Sequence, residues 1–314
     1  MGRPQGEASV TEEAVTEALY IRVAGQQFKI SSANPLKAAF GAGMYHLGRA
    51  PGAALYARHV APRHVRREEV AVALPGLPAA LEGLRVGFIT DVHYEPDRPT
   101  AILERGVALL DEAAPDLILL GGDYVNSSAA GFDRPLATLA RLRAPLGTFA
   151  VLGNHDYWAG ADHVAARLAG AGIAVLRNRA ERLAAPDGTP WWLIGVDSAA
   201  RHHDDVDQAF ACLPPRGFRL LLAHEPEQAD TVAARGYRAD LQLSGHSHGG
   251  QFVLPKVGPP FLPRLGRRYM RGLHDNPRVY TSRGLGTVPP YLRLNCPPEV
   301  TVLTLRRGGG PESR

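Results

Sequence analysis

The chain has 314 residues, 45% of them hydrophobic and 21% charged, enough to bury a full core in one large domain or in one domain with an extension. Lysine and arginine number 35 against 31 acidic residues, a formal charge of +4, which falls short of the basic surface of a nucleic-acid-specific module. Two isolated cysteines, Cys212 and Cys296, exclude a disulfide framework and a thiolate metal site.

Residues 1–20 are polar, with Glu7, Glu12, Glu13 and Glu17. They lack the basic and apolar regions of an export signal, so the expected location is cytoplasmic. Residues 20–30 alternate like a strand or hairpin arm. Residues 36–60 are rich in Ala and Gly and predict short helices broken at Pro51-Gly52. Lys37, His46, Arg49 and Pro51 keep this stretch well short of the roughly 18–20 apolar residues of a spanning helix. Residues 1–64 are therefore expected to form an accessory arm, 65–306 the functional domain, and 307–314, with Gly308 to Gly310, a disordered tail.

Residues 66–74 read as a strand and 75–83 as a turn-rich connector. Beyond them, short apolar runs alternate with helical spacings over 99–113, 134–142, 161–169, 205–211 and 227–234, which argues for an α/β architecture. Trp191-Trp192 open a strand that ends at Asp197, one of the pair belonging to the core. After Leu222 come strands over 241–244, 251–254, 279–282 and 300–305 with few helices between them, predicting a second sheet rich in antiparallel pairs.

Five apolar runs stop abruptly at side chains suited to metal ions. Residues 86–90 precede Asp91-Val92-His93, 117–120 precede Gly121-Gly122-Asp123, and 149–152 precede Gly153-Asn154-His155-Asp156. Residues 220–223 precede His224, and Leu243-Ser244 precede Gly245-His246-Ser247-His248-Gly249-Gly250. If the last strand runs extended to Ser247, alternation places His246 and His248 on one side. Such a pair alone reads equally well as solvent-facing. Five strand ends together read as one crevice, because function in open sheets collects at carboxyl ends of strands.

Asp91-x-His93, Gly122-Asp123, Gly153-Asn154-His155-Asp156, His224 and Gly245-His246-x-His248 resemble, in order, the five motifs of the calcineurin-like metallophosphoesterases. Ser244 to Gln251, Thr281 to Gly286 and Pro298-Glu299-Val300 are similar more narrowly to the YkuE/YaeI-like bacterial phosphodiesterase branch, related to a UDP-2,3-diacylglucosamine pyrophosphohydrolase. The resemblance covers about residues 65–306. It implies a four-layer αββα sandwich of two mixed β-sheets flanked by helices. It also implies two divalent metal ions, with Mn2+ expected and Fe, Zn or Co as alternatives.

Carried over motif by motif, Asp91, His93, Asp123 and His248 would hold one ion and Asp123, Asn154, His224 and His246 the other, with Asp123 bridging. His155 would face the substrate as an acid or transition-state donor, and Asp156 would orient it. The implied activity is a phosphodiesterase or pyrophosphohydrolase using metal-activated water, on a lipid-linked or nucleotide substrate. A phosphomonoesterase or protein phosphatase of the same fold is the alternative, and a non-catalytic scaffold is disfavoured because every motif residue is present.

Gly122, Gly153 and Gly245 are expected to allow sharp turns. His202-His203-Asp204-Asp205, four consecutive residues, read as a solvated loop. Tyr124, Tyr157 and Trp158 adjoin the motifs and either line the cleft or pack. In residues 261–271, Arg264, Arg267, Arg268 and Arg271 interleave with apolar residues, which suits a substrate phosphate or peripheral contact with an anionic membrane.

Overall fold

The structure, a computed structural model, describes residues 55–260, 262–288 and 291–308 and a hairpin of Leu19–Val23 (β1) against Gln26–Ile30 (β2). That hairpin is the arm expected over 20–30. Of the helices expected over 36–60, residues 36–54 lie outside the described residues, as do residues 309–314 of the expected 307–314 tail, whose Arg307 instead ends the last strand, Glu299–Arg307.

Six strands form the first sheet, in the order β3-β14-β4-β5-β6-β7. They are Arg66–Leu74 (β3), Arg85–Ile89 (β4), Leu117–Leu120 (β5), Thr148–Ala150 (β6), Ala174–Val175 (β7) and Glu299–Arg307 (β14). The second sheet runs β12-β13-β11-β10-β9-β8. Its strands are Arg179–Ala184 (β8), Pro190–Val196 (β9), Arg219–Ala223 (β10), Leu241–Ser244 (β11), Gly272–Asp275 (β12) and Arg278–Thr281 (β13). In each sheet the strands that carry motif residues are mutually parallel, so their carboxyl ends share an edge.

Side-chain alternation sorts each strand between two cores. Leu117 and Leu119 of β5, Leu220 and Leu222 of β10, and Leu303 and Leu305 of β14 pack between the sheets. Ile118 and Leu120 turn the other way, onto the helices Ala101–Ala113 (α1), Asp133–Leu139 (α2) and Ala161–Gly170 (α4). Leu221 and Ala223 face a third cluster with Val206–Phe210 (α5) and Gln228–Ala234 (α6). Strands buried on both faces read as continuous apolar runs. The layering is the expected four-layer sandwich. The π-helical turn Tyr56–Val60 and the 3-10 turn Ala61–His64 pack on α1, so the end of the arm lies against the domain.

Three expectations are corrected. The strand near 300–305 belongs to the first sheet, inserted between β3 and β4, because Val300 and Val302 find the helical core while Leu303 and Leu305 find the inter-sheet core. Antiparallel pairing in the second sheet is confined to its edges, β8 and β12. Residues 251–254 make only isolated bridges, Phe252 with Leu294 and Leu254 with Gly258. Left-handed backbone at Gly249, Gly250 and Gln251 turns the chain there.

Candidate metal centre

Each motif residue follows the carboxyl end of a strand: Asp91 and His93 after β4, Asp123 after β5, His224 after β10, and His246 and His248 after β11. Asn154 and His155 open the short helix Asn154–Ala159 (α3) after β6. Asp91, His93, Asp123, His246 and His248 all have positive φ, between 46° and 66°. Asp and His tolerate this region better than most residues, yet several in one site is a concentration of strain typical of function. The strand therefore ends before the histidine pair, and a turn, not alternation along an extended strand, places His246 and His248.

The glycines act mainly by yielding space. Of Gly122, Gly153 and Gly245, only Gly122 has a left-handed φ, +92°. At Gly153 a Cβ would sit 2.1 Å from Asp123 Oδ1, and at Gly245 one would sit 2.2 Å from Asp91 Oδ2. Gly153→Ala should thus displace the Asp123 loop, at a cost of about 1–3 kcal/mol for overpacking. Its expected signature is a clear fall in bound metal with the far-UV circular dichroism retained, and full metal content would refute this reading of the close approach.

Three groups of ligand atoms result among the described residues: His93, Asp123 and His155 form one, and two others take in the expected ligands, Asp91 with His93 and His248, and Asp123 with His224 and His246. Asp123 Oδ2 stands between them, 3.4 Å from His93 Nε2 and 3.1 Å from His224 Nε2. His248 Nε2 lies 3.4 Å from Asp91 Oδ1, and His246 Nδ1 lies 3.3 Å from His224 Nε2. His224 Nδ1 pairs with the Gly121 carbonyl at 2.7 Å, which fixes the ring and leaves Nε2 for an ion. Buried atoms without hydrogen-bond partners include both ring nitrogens of His93, His248 Nδ1 and Asn154 Oδ1. Leaving such atoms unsatisfied costs roughly 1–3 kcal/mol each, and a bound ion would satisfy His93 Nε2, which faces Asp123 Oδ2 at 3.4 Å.

Electrostatics agree. Burial pushes His246 down to about 3 and also depresses His248, keeping these imidazoles neutral as ligands must be. Burial by itself would raise the Asp91 and Asp123 carboxyls, but His248 beside Asp91 and His224 beside Asp123 hold both low. Burial likewise opposes a charged His224, while Asp123 pulls its pKa up; a divalent cation would compete with that proton. Neutral imidazole and ionised carboxylate donors without thiolate suit a borderline divalent ion such as Mn, Fe, Zn or Co.

His155 also lies beside His93 and Asp123. Its Nδ1 is hydrogen-bonded to the Asn126 carbonyl oxygen, so Nε2 is the nitrogen left to face the cleft. The orienting role expected of Asp156 falls instead to Asn126. Asp156 accepts N–H groups from Asp123 at 2.8 Å, and from Tyr124 and Gly153 at 2.9 Å, pinning the turn that carries Asp123. Burial, with the Asp123 charge nearby, raises Asp156 to about 7. One backbone donor at the start of α3, from Gly153, and two on the turn after β5, from Asp123 and Tyr124, explain why a carboxylate sits there.

Trp158 lines the cleft, while Tyr124 is buried with its hydroxyl on the Val151 carbonyl, and Tyr157 binds Asp197 and Arg177. His202, His203 and Asp205 are exposed, as expected of a solvated loop. Arg268 pairs with Asp230 at 2.9 Å, and the amides of Arg267 and Arg268 donate to Glu227. These arginines are not among the cleft-lining residues.

Two supports went unseen in the sequence. Asn126 is one, and the other is Arg293, whose guanidinium binds the carbonyls of His248, Arg283, Gly284 and Gly286. Both act through backbone carbonyls, which no residue pattern records.

The calcineurin-like phosphoesterase family profile matches residues 84–250. The metallophosphoesterase YkuE of Bacillus subtilis is 30% identical over 88% of this chain and 98% of its own length. The phosphodiesterase YaeI of Escherichia coli is 39% identical over 70% of this chain and 82% of its own. Among solved structures, the 5'-nucleotidase precursor of Thermus thermophilus is 16% identical with a TM-score of 0.43, covering 71% of this chain and 54% of that one.

Proposed function

We propose that this chain, which belongs to the calcineurin-like phosphoesterase family, is a dinuclear metal-dependent hydrolase that acts on phosphodiesters. The observation that carries the reading is the position of Asp123 Oδ2, within 3.4 Å of His93 from one ligand group and within 3.1 Å of His224 from the other. One ion would be held by Asp91, His93, Asp123 and His248, the second by Asp123, Asn154, His224 and His246. Bound there, such a pair neutralises phosphate charge and makes water a nucleophile near neutral pH.

The chain's own groups supply the rest. Asn126 fixes the His155 tautomer, so Nε2 is directed into the cleft for hydrogen bonding or proton transfer at the leaving oxygen. Burial lowers His155 to about 4, and an anionic phosphodiester beside it would favour the protonated form. The cleft measures about 390 Å3 and continues past the ligands along Trp158, Phe252, Leu262 and Val288. That extension favours an ester with a second substituent over a monoester, as does the similarity to a relative named a phosphodiesterase.

The test uses metal-stripped protein with single divalent ions restored, comparing bis(4-nitrophenyl) phosphate with 4-nitrophenyl phosphate. Hydrolysis should depend on added metal and favour the diester by roughly tenfold or more in kcat/KM. Preference for the monoester would assign the chain to the phosphomonoesterases instead.

A further inference from the structure

Part of the lining of the metal cleft is largely apolar: Phe252, Pro260, Leu262, Pro263 and Val288, together with Trp158 beside His155. Trp158 is 52% exposed, unusual for so large an apolar side chain, and its ring meets His155 edge-on at 4.3 Å. The indole therefore stands where a substrate group leaving the metals would pass.

Apart from the Trp158 indole N–H, a donor at the exposed rim, the polar side chains beside that wall are already engaged. Gln251 accepts the Val288 N–H at 3.0 Å and donates its amide to the Val288 carbonyl at 2.8 Å. Ser247 gives its hydroxyl to the Met270 carbonyl and accepts the Gly249 N–H at 3.1 Å. Among the described lining residues there is no lysine or arginine, and the nearest cation shown at the wall, Arg201, lies over the Trp158 ring at 6.0 Å on the exposed rim. A nucleoside or polyphosphate substituent would lose water along Phe252, Leu262 and Val288 and gain few partners there, a penalty of the kind that makes polar groups costly in apolar sites. An aliphatic or aryl substituent would lose only water contact, which favours binding.

We propose that the wall of Phe252, Leu262, Val288 and Trp158 is a specificity subsite for the apolar, uncharged substituent of a phosphodiester whose phosphate lies at the metals. The proposal rests on the phosphodiesterase reading above and deepens it by naming the substituent class. Pro260 and Pro263 have φ fixed by their own rings, which limits the backbone entropy lost at those two positions on binding.

The test holds the leaving group constant. Methyl, hexyl and trimethylammonioethyl 4-nitrophenyl phosphates are compared as substrates of the metal-loaded full chain by following nitrophenolate release. The hexyl ester should exceed the methyl ester by roughly tenfold or more in kcat/KM, and the cationic ester should not. In Leu262→Asp, with metal content verified, the hexyl-to-methyl ratio should collapse toward one. In Leu262→Met, which keeps the apolar surface, the ratio should survive. Equal rates for hexyl and methyl esters in the wild type, or a preference for the cationic ester, would overturn the subsite and leave the phosphodiesterase reading standing. Failure to hydrolyse any of the three with metal bound would overturn that reading and the subsite with it.

Discussion

Asp123→Asn should cost the protein its metal and its hydrolytic activity together. Asp123 Oδ2 faces His93 at 3.4 Å and His224 at 3.1 Å, so one carboxylate serves both ligand groups, and a neutral amide cannot bridge two cations as a carboxylate does. Activity should fall by well over roughly 100-fold, beyond the loss usual for an outer-shell partner. The fold should survive, because the Asp123 N–H still reaches Asp156 and an Asn oxygen can still accept the His155 N–H now bound at 2.8 Å. Elemental analysis of the purified variant alongside its circular dichroism would check this. Wild-type metal content would remove Asp123 from the bridging role.

His155→Ala should do the opposite with respect to metal. Its Nδ1 is committed to the Asn126 carbonyl, and the two ligand groups are complete without it. The variant should retain wild-type metal content while turnover drops roughly 10²–10⁴-fold, the range for a lost acid–base group. Asn126 reaches His155 through its main-chain oxygen, so a side-chain substitution there should be far milder than His155→Ala. Metal loss in His155→Ala equal to that in Asp123→Asn would make His155 a ligand, a role its proximity to His93 and Asp123 would then explain.

The site was legible because its residues sit where apolar runs stop. All five runs lie on strands buried along the run, and strands buried on both faces tend to read as apolar sequence that ends where the chemistry begins. What local pattern cannot carry is connectivity over long sequence separation. β14 reads as one more strand of the second half, yet it pairs with β3 and β4 more than two hundred residues upstream. The polar edge strand β8, exposed at Arg179, Arg182 and Ala184, has neither a β-branched residue nor a full apolar face. The motif implies that Asp156 orients His155, whereas its carboxylate accepts backbone N–H groups from Asp123, Tyr124 and Gly153, partners that carry no side-chain signature. The histidine pair shows the same limit: spacing predicted a shared side through alternation, and the left-handed backbone at His246 and His248 delivers them by another route, one to each ligand group.

The most direct test of the dinuclear site is a manganese titration of metal-stripped protein, read by stoichiometry and by electron paramagnetic resonance. Ions bridged by one carboxylate at the roughly 3.5–4 Å spacing of two-metal sites should bind as two equivalents and replace the mononuclear six-line signal with a spin-coupled spectrum, which Asp123→Asn abolishes. Saturation at one equivalent, or two equivalents that keep uncoupled spectra, would contradict the shared site.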